Sequence, residues 1–504
     1  IMTYTVSPSS TRRQWLGGAA AVMGGVMGAG LAATSQAASP SSPYPTAKAE
    51  EIVRRIKQPA IPKRDFRVAD YGGRGDGKTD NSQPIAKAIA VAVKAGGGRV
   101  VLPSGVCLTG PIRLRSKVEL HVPKGTRLKF IPEPARYLPV VPTRWEGVEL
   151  MGYHPLVYAY GEHDIAVTGG GILDGSADDK TWWPWKGPWA DGKFSDTPIA
   201  ERQAGDRTRL FDMAERGVPV VERVFGEGSR LRPPFFQPYL CKNVLFEGVT
   251  VVSSPFWLLH PVLCDSVTFR GVTCDSHGPN NDGCDPESCT DVLIDNCTFN
   301  TGDDCIAIKA GRNADGRRVA KPCENLVIRN CLMKDGHVGV AIGSEMTGGV
   351  RNVYVQDCTM DSPHLSQALG IKTNGYRGGV VEDIHMTRIK VGRVDKTFLQ
   401  IWLYYEEGEG GAFVPSVRRI TLSESRVVST RRVLVIRGRP DSPVTGLTLS
   451  HLVVGEEQQP SVVIDARDVA LDHVTIAGKA WTAADVARLP GLDSVTCDKW
   501  AMCR

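Results

Sequence analysis

Four short polar segments interrupt a chain otherwise rich in brief apolar runs: Asn280-Asn281-Asp282, Gly302-Asp303-Asp304, Gly336-His337-Val338-Gly339 and Gly370-Ile371-Lys372. Together they supply three carboxylates, an imidazole and an ammonium. Carboxylates held close together do not all ionise near neutral pH, so one keeps its proton while the others stay anionic. That division of labour suits glycosidic cleavage, where an acid protonates the leaving oxygen and a carboxylate activates water. Clustered oxygens can instead hold a cation such as calcium, although a His and a Lys are poor neighbours for one. Isolated aspartates also serve as turn residues, and Asp295 and Asp357 are read that way.

These side chains form one site only if the fold stacks them. From Val244 onward a pattern recurs: alternating apolar residues, a polar pair, then a small apolar residue. It is read at 244–249, 267–272, 292–297, 327–331 and 353–358, with weaker copies ending near Ile389, Ser425, Leu452 and Val474, at spacings of 22 to 36 residues. Short strands at this period, without amphipathic helices between them, fit a β-solenoid. Its coils stack about 4.8 Å apart, and inward residues form columns. Val249, Val272, Cys297, Cys331 and Cys358 then share a column, which makes these cysteines small buried hydrophobes rather than redox groups. Asp303 follows Cys297 by six residues and His337 follows Cys331 by six, so the two stand nearly in register on neighbouring coils. Asp282 follows Val272 by ten, with a turn between, on the coil before Asp303. Lys372 follows Cys358 by fourteen, the next coil plus a loop. Four successive coils are expected to present Asp282, Asp303 with Asp304, His337 and Lys372 along one stripe.

The remaining sequence frames this core. A length of 504 residues is ample for a large interior, and 54 glycines with 33 prolines favour many turns over long helices. A net charge of +5 is compatible with a polyanionic partner but lacks the concentrated basic footprint of a nucleic-acid binder. The thirteen cysteines include no CxxC pair and do not read as zinc modules. Cys497 and Cys503, close together in a polar tail, are placed to form a disulfide. Thr11-Arg12-Arg13-Gln14-Trp15-Leu16 opens a Gly/Ala-rich apolar run, followed by small residues Ser35 and Ala37. Residues 1–37 thus resemble a twin-arginine export signal and are poor in leucine for a membrane anchor. The mature protein is expected to be periplasmic or extracellular, without stable membrane insertion. Export of folded protein by that route accords with unpaired buried cysteines.

Residues 38–64 read as a linker and 65–504 as one domain. Strands are expected at 99–102, 112–114 and 118–121. Before them, a short helix capped by Thr79 or Asp80 carries Ile85, Ile89 and Val93 on one face and ends at Gly96-Gly97-Gly98. Gly73-Arg74-Gly75-Asp76-Gly77 lacks the lysine of a P-loop and reads as a tight turn. An insertion at about 176–232 contains Trp182, Trp183, Trp185 and Trp189, which either line a sugar cleft or form the insertion's own small core. A second loop, Tyr404-Tyr405-Glu406-Glu407-Gly408, is placed to border the same cleft.

Taken together, the four polar segments resemble the polygalacturonase family of glycoside hydrolases, family 28, over about residues 66–472. The family pattern runs Asn-Thr-Asp, Gly/Gln-Asp-Asp, Gly-His-Gly and Arg-Ile-Lys. The flanks Asp304-Cys305-Ile306-Ala307-Ile308-Lys309 and Ile342-Gly343-Ser344-Glu345-Met346 are similar to the bacterial exo-acting branch. The resemblance implies an all-β fold, a single-stranded right-handed parallel β-helix with an N-terminal capping helix. It also implies inverting hydrolysis of α-1,4-linked galacturonic acid in pectin, with no metal or organic cofactor. By the same resemblance Asp303 is the general acid, while Asp282 and Asp304 position and deprotonate water. His337 tunes the acid's protonation, Lys372 pairs with the substrate carboxylate, and Asn280 belongs to the substrate-binding set. Long loops on both sides of the cleft favour attack on chain ends.

This sequence departs from the pattern at Val338, where a glycine is usual, and at Gly370, where an arginine is usual; Arg377 is a candidate to replace that arginine. Gly370 also supports a second reading, hydrolysis of rhamnogalacturonan or substituted galacturonan. A calcium-dependent pectate lyase on a similar scaffold and a non-catalytic polysaccharide-binding β-helix are the rivals from other classes.

Overall fold

Each copy of the repeat lays one strand on the last. Strands Lys242–Glu247, Asp265–Arg270, Thr290–Asp295, Cys323–Arg329 and Val350–Gln356 pair in parallel, each with the next. They belong to a thirteen-stranded parallel sheet that follows chain order from Asp65–Arg67 to Ala466–Asp472. Further parallel pairings, among them Thr298–Thr301 on Leu332–Asp335 and Ile306–Ile308 on Val338–Ile342, build the other walls of a right-handed β-helix. The computed structural model describes residues 44–489. The twin-arginine-like segment and the Cys497/Cys503 pair lie outside the described residues. Among those residues, no helix is long and apolar enough to cross a membrane.

The polar pair of the repeat is a backbone requirement. After each strand the chain turns through one residue with left-handed backbone: Gly248, Gly271, Asn296, Asn330 and Asp357, with φ between 55° and 75°. Glycine, and to a lesser degree Asn and Asp, adopt this conformation at low cost. The turn delivers the next residue inward, so Val249, Val272, Cys297, Cys331 and Cys358 form the expected column, none more than 2% exposed. Among the described residues eleven cysteines are free and buried. Along the strands Val267, Phe269, Val292 and Ile294 alternate into the same core, fully buried. Each such side chain contributes about 1.5–3 kcal/mol through burial.

The strands expected near the start occur at Gly98–Val101, Ile112–Arg113 and Val118–Val122. The capping helix spans Ser82–Lys94, and Ile85, Ala88, Ile89 and Ala92 are its buried residues. Val93 corrects the expected face: it is 41% exposed, because the next turn of the helix buries Ala92 in its place. The residue at the helix start is Asn81 rather than the expected Thr79 or Asp80, although Asp80, one position before it, accepts from the Ser82 amide at 2.9 Å. A second correction concerns the linker. Residues Thr46–Arg55 form a helix whose Ala49 and Ile52 pack, with Tyr44, on Leu293, Val327 and Tyr354. Arg55 adds a bidentate pair with Asp291 at 2.6 and 2.7 Å. The segment is a strap on the outside of the solenoid.

The insertion carries its own helix, Gln203–Glu215. Trp182, Trp183 and Trp185 pack in or against the main core, and none of the four tryptophans lines the cleft. Trp182 is 3% exposed and packs edge-on to Tyr137 and Trp185, with ring centroids 5.4 and 4.9 Å away. Trp183 donates its indole N–H to the Ser254 carbonyl at 2.8 Å, and Trp189 lies against Phe194.

Candidate active site

The stacking of coils brings the polar segments together. The Cys284–Ile306 bridge sets Asp282 beside Asp304, and the Gly283 amide donates to the Asp304 carbonyl at 2.9 Å. One coil further, the His337 amide donates to the Asp303 carbonyl at 2.9 Å, the register expected from the equal offsets. Side chains follow: His337 Nδ1 lies 2.9 Å from Asp303 Oδ1. The stripe is less simple at Lys372. That residue stands one position beyond the Ile342–Ile371 pair, above Gly343. It reaches back to donate to Asp304 Oδ2 at 2.7 Å.

Two glycines make these approaches possible. A Cβ on Gly302 would lie 2.5 Å from the Gly278 carbonyl oxygen, so a side chain there would push the Asp303-Asp304 turn off the preceding coil. A Cβ on Gly343, at φ +96°, would lie 2.1 Å from the Lys372 carbonyl oxygen. The Asn280-Asn281-Asp282 turn is fixed by Asn281, fully buried, which accepts from Ser276 Oγ and the Gly278 amide and donates to the Ser254 carbonyl. Asn280, at φ 53°, accepts from the buried Arg232 at 2.7 Å.

Asp282, Asp303, Asp304, Asn280 and Lys372 line one open pocket of about 420 Å³. His337 borders it through Asp303, with its own side chain 55% exposed. The roof comes from the two loops. Lys186, Gln203 and Arg207 enter from the insertion, and Tyr405 and Glu406 from the later loop. Arg207 bridges them, 2.7 Å from Glu406 and 2.7 Å from Glu146. Sequence reasoning did not single out Lys186, Arg207, Glu146, Trp257 or Arg232, because they lie outside the repeat and carry no motif. Lys309 and Glu345 were visible only as flanking residues. In the structure Lys309 lies 3.2 Å from Glu345 and 3.6 Å from the fully buried Asp285. Arg377 does not fill the place of the missing arginine in the pocket. It is fully buried and bonds Glu407 at 2.9 Å, Glu406 at 3.0 Å and Asn313 at 2.7 Å, so it braces the roof loop. At Gly370 the vacant volume is taken by Gln367, whose Oε1 would lie 2.4 Å from a Cβ there. Val338 packs outward on Ala307 and Ala341 and is accommodated.

The carboxylates divide electrostatically. Burial, then the charge of Asp303, pushes Asp282 well above the usual carboxylate range. Burial works against Asp303 as well, but His337, Lys372 and Lys309 hold it below that range. Asp303 in turn raises His337 above the ordinary histidine value of 6.5. Asp303 and His337, 2.9 Å apart, therefore titrate as a pair, while burial favours the neutral form of Asp282. Asp303, Asp304 and His337 also offer three donor atoms within 4.8 Å of one another. The Lys372 ammonium already takes Asp304, and one imidazole with two carboxylates falls short of the oxygen shell that calcium prefers.

Comparison with known proteins agrees with this geometry. The model of glycosyl hydrolases family 28 matches residues 224–462. A hyperthermoactive exopolygalacturonase from Thermotoga maritima, of known structure, is 42% identical, with a TM-score of 0.83 over 86% of this chain and 97% of that one. A probable polygalacturonase from Vitis vinifera is 26% identical over 77% of this chain and 73% of its own length. The polygalacturonase structure from Erwinia carotovora shares the fold at 21% identity, with a TM-score of 0.62. With its parallel β-helix and its stacked Asp, His and Lys side chains, the chain belongs to glycosyl hydrolase family 28 and is a glycoside hydrolase.

Proposed function

We propose that this enzyme hydrolyses α-1,4-linked galacturonic acid in pectic polysaccharide, from chain ends and with inversion of the anomeric carbon. The observation that carries the reading is the convergence of Asp282, Asp303, Asp304 and Lys372 in one pocket roofed by two bridged loops. Asp303 donates its proton to the leaving glycosidic oxygen and draws on His337, which shares that proton at 2.9 Å. Asp304, anionic beside Lys372, and Asp282, once deprotonated, orient the attacking water and accept its proton. The Arg207–Glu406 bridge ties the insertion to the later loop, and a pocket covered in this way suits a chain end better than a chain interior. The names of the relatives from Thermotoga maritima and Vitis vinifera favour the same substrate class. Export ahead of the Ala38 region, to the periplasm or beyond, is part of this reading, since eleven free buried thiols suit a protein folded before it leaves a reducing compartment.

Time-resolved proton NMR of polygalacturonate digestion tests the mechanism. The newly formed reducing end is expected first as the β-anomer, with viscosity falling slowly relative to reducing-sugar release. An initial α-anomer contradicts inversion, and a rapid viscosity drop contradicts chain-end attack.

A further inference from the structure

Four cationic side chains line the pocket: Lys186, Arg207, Lys309 and Lys372. Three of them are already engaged. Arg207 bonds Glu146 and Glu406, Lys309 bonds Glu345, and Lys372 bonds Asp304, at 2.7, 2.7, 3.2 and 2.7 Å respectively. Lys186 has no ion pair or hydrogen-bond partner for its ammonium among the described residues. The backbone that carries it is nonetheless held in place. Lys186 ends the short helical turn Trp183–Lys186. That turn is pinned by the Trp183 indole on the Ser254 carbonyl and by Trp185 against Trp182. Burial, then the charge of Arg232, lowers its pKa below the ordinary lysine value, while Glu146 and Asp303 act in the opposite sense. A half-buried ammonium at the end of a pinned turn, near carboxylates but bonded to none, gains from an incoming anion.

We propose that Lys186 is a specificity-determining residue that binds a sugar carboxylate of the substrate, on the insertion side of the pocket. The assignment rests on the galacturonan reading above. It explains why the insertion spends several aromatic side chains on fixing a short turn that ends in a lysine. It also divides the work between the two lysines: Lys372 enters the free enzyme as the counter-ion of Asp304, and Lys186 enters it vacant.

The test compares the wild type, Lys186→Met and Lys186→Arg on trigalacturonate and on the same trisaccharide with its carboxylates reduced to primary alcohols. Removing a hydrogen bond to a charged group corresponds to a loss of about ten- to hundredfold. Lys186→Met is expected to raise KM for trigalacturonate by that factor, to change kcat little, and to leave the already poor cleavage of the reduced sugar unaltered. Lys186→Arg is expected to recover most of the affinity. Thermal midpoints equal to that of the wild type establish that the variants fold. A wild type that prefers the acidic sugar together with a Lys186→Met variant that keeps the full preference overturns the Lys186 assignment alone. A wild type that cleaves both sugars equally overturns the galacturonan reading and the Lys186 assignment with it.

Discussion

Lys309→Met withdraws one buried ammonium from two buried carboxylates beneath the active site. Lys309, Glu345 and Asp285 are 3%, 6% and 0% exposed. Breaking a buried ion pair by removing one partner costs about 3–5 kcal/mol. Two features place this case at the lower end. Arg312 remains 3.4 Å from Glu345, and burial already pushes Asp285 well above the usual range, so a proton relieves its charge. The expected loss is about 3 kcal/mol. Unfolding entropy of about 2.1 cal/mol/K per residue amounts to about 1 kcal/mol/K for a body of roughly 450 residues, so the thermal midpoint falls by about 3 °C. The loss also carries a pH signature. Burial opposes the Glu345 charge, but Lys309 and Arg312 hold its pKa below the ordinary glutamate value of 4.5. A depressed carboxylate contributes stability that is fully present above its unfolded pKa and is lost as pH falls through its folded pKa. The gap between wild type and variant is therefore full at pH 7 and narrows below about pH 4.5. Scanning calorimetry at pH 7 and pH 4 reads both effects. An unchanged midpoint at pH 7, or a gap that widens on acidification, would refute the argument.

The pH profile of kcat/KM is expected to be bell-shaped. Asp282, held above the usual carboxylate range, must lose its proton to act on water, so activity falls as pH drops through its raised pKa. The alkaline limb follows the Asp303–His337 couple, raised above 6.5 at the histidine, and His337→Gln should move that limb to lower pH; a limb that stays in place would count against the shared proton. The buried thiols make a separate prediction. All eleven described cysteines are buried, and burial raises Cys274, Cys284 and Cys331 well above the ordinary thiol value, so an aromatic disulfide reagent that cannot reach the core should label none of the eleven in the native protein and all of them in guanidinium. Rapid native labelling would mean that the columns open.

Much of the site is legible in sequence because the solenoid converts spacing into position. Asp303 and His337 share an offset of six residues from stacked cysteines, and the structure joins them at 2.9 Å. Periodicity does not, however, report which way a long side chain reaches. Lys372 sits in the column of Lys309 and Gly343 and arrives at Asp304 across the glycine. The roof of the pocket lies outside the repeat: the loop with Tyr405 and Glu406 is expected at the cleft because it follows the Lys372 coil, but nothing in the spacing of Lys186 or Arg207 relates them to the catalytic coils. The tryptophans of the insertion were ambiguous for a physical reason: an indole buries equally well against a sugar or against Tyr137. The helix Thr46–Arg55 was hidden by flanking prolines and lysines, although Ala49, Ile52 and Ile56 keep helical spacing.

The most direct test of the account is chromatography of the products released from polygalacturonate by the wild type and by Asp303→Asn. The account predicts saturated galacturonic acid monomer or dimer from the wild type, with release lost by a factor of at least about 10² in the variant, the scale of general acid catalysis. Unsaturated products, or a variant that releases the same products at the wild-type rate, would contradict it.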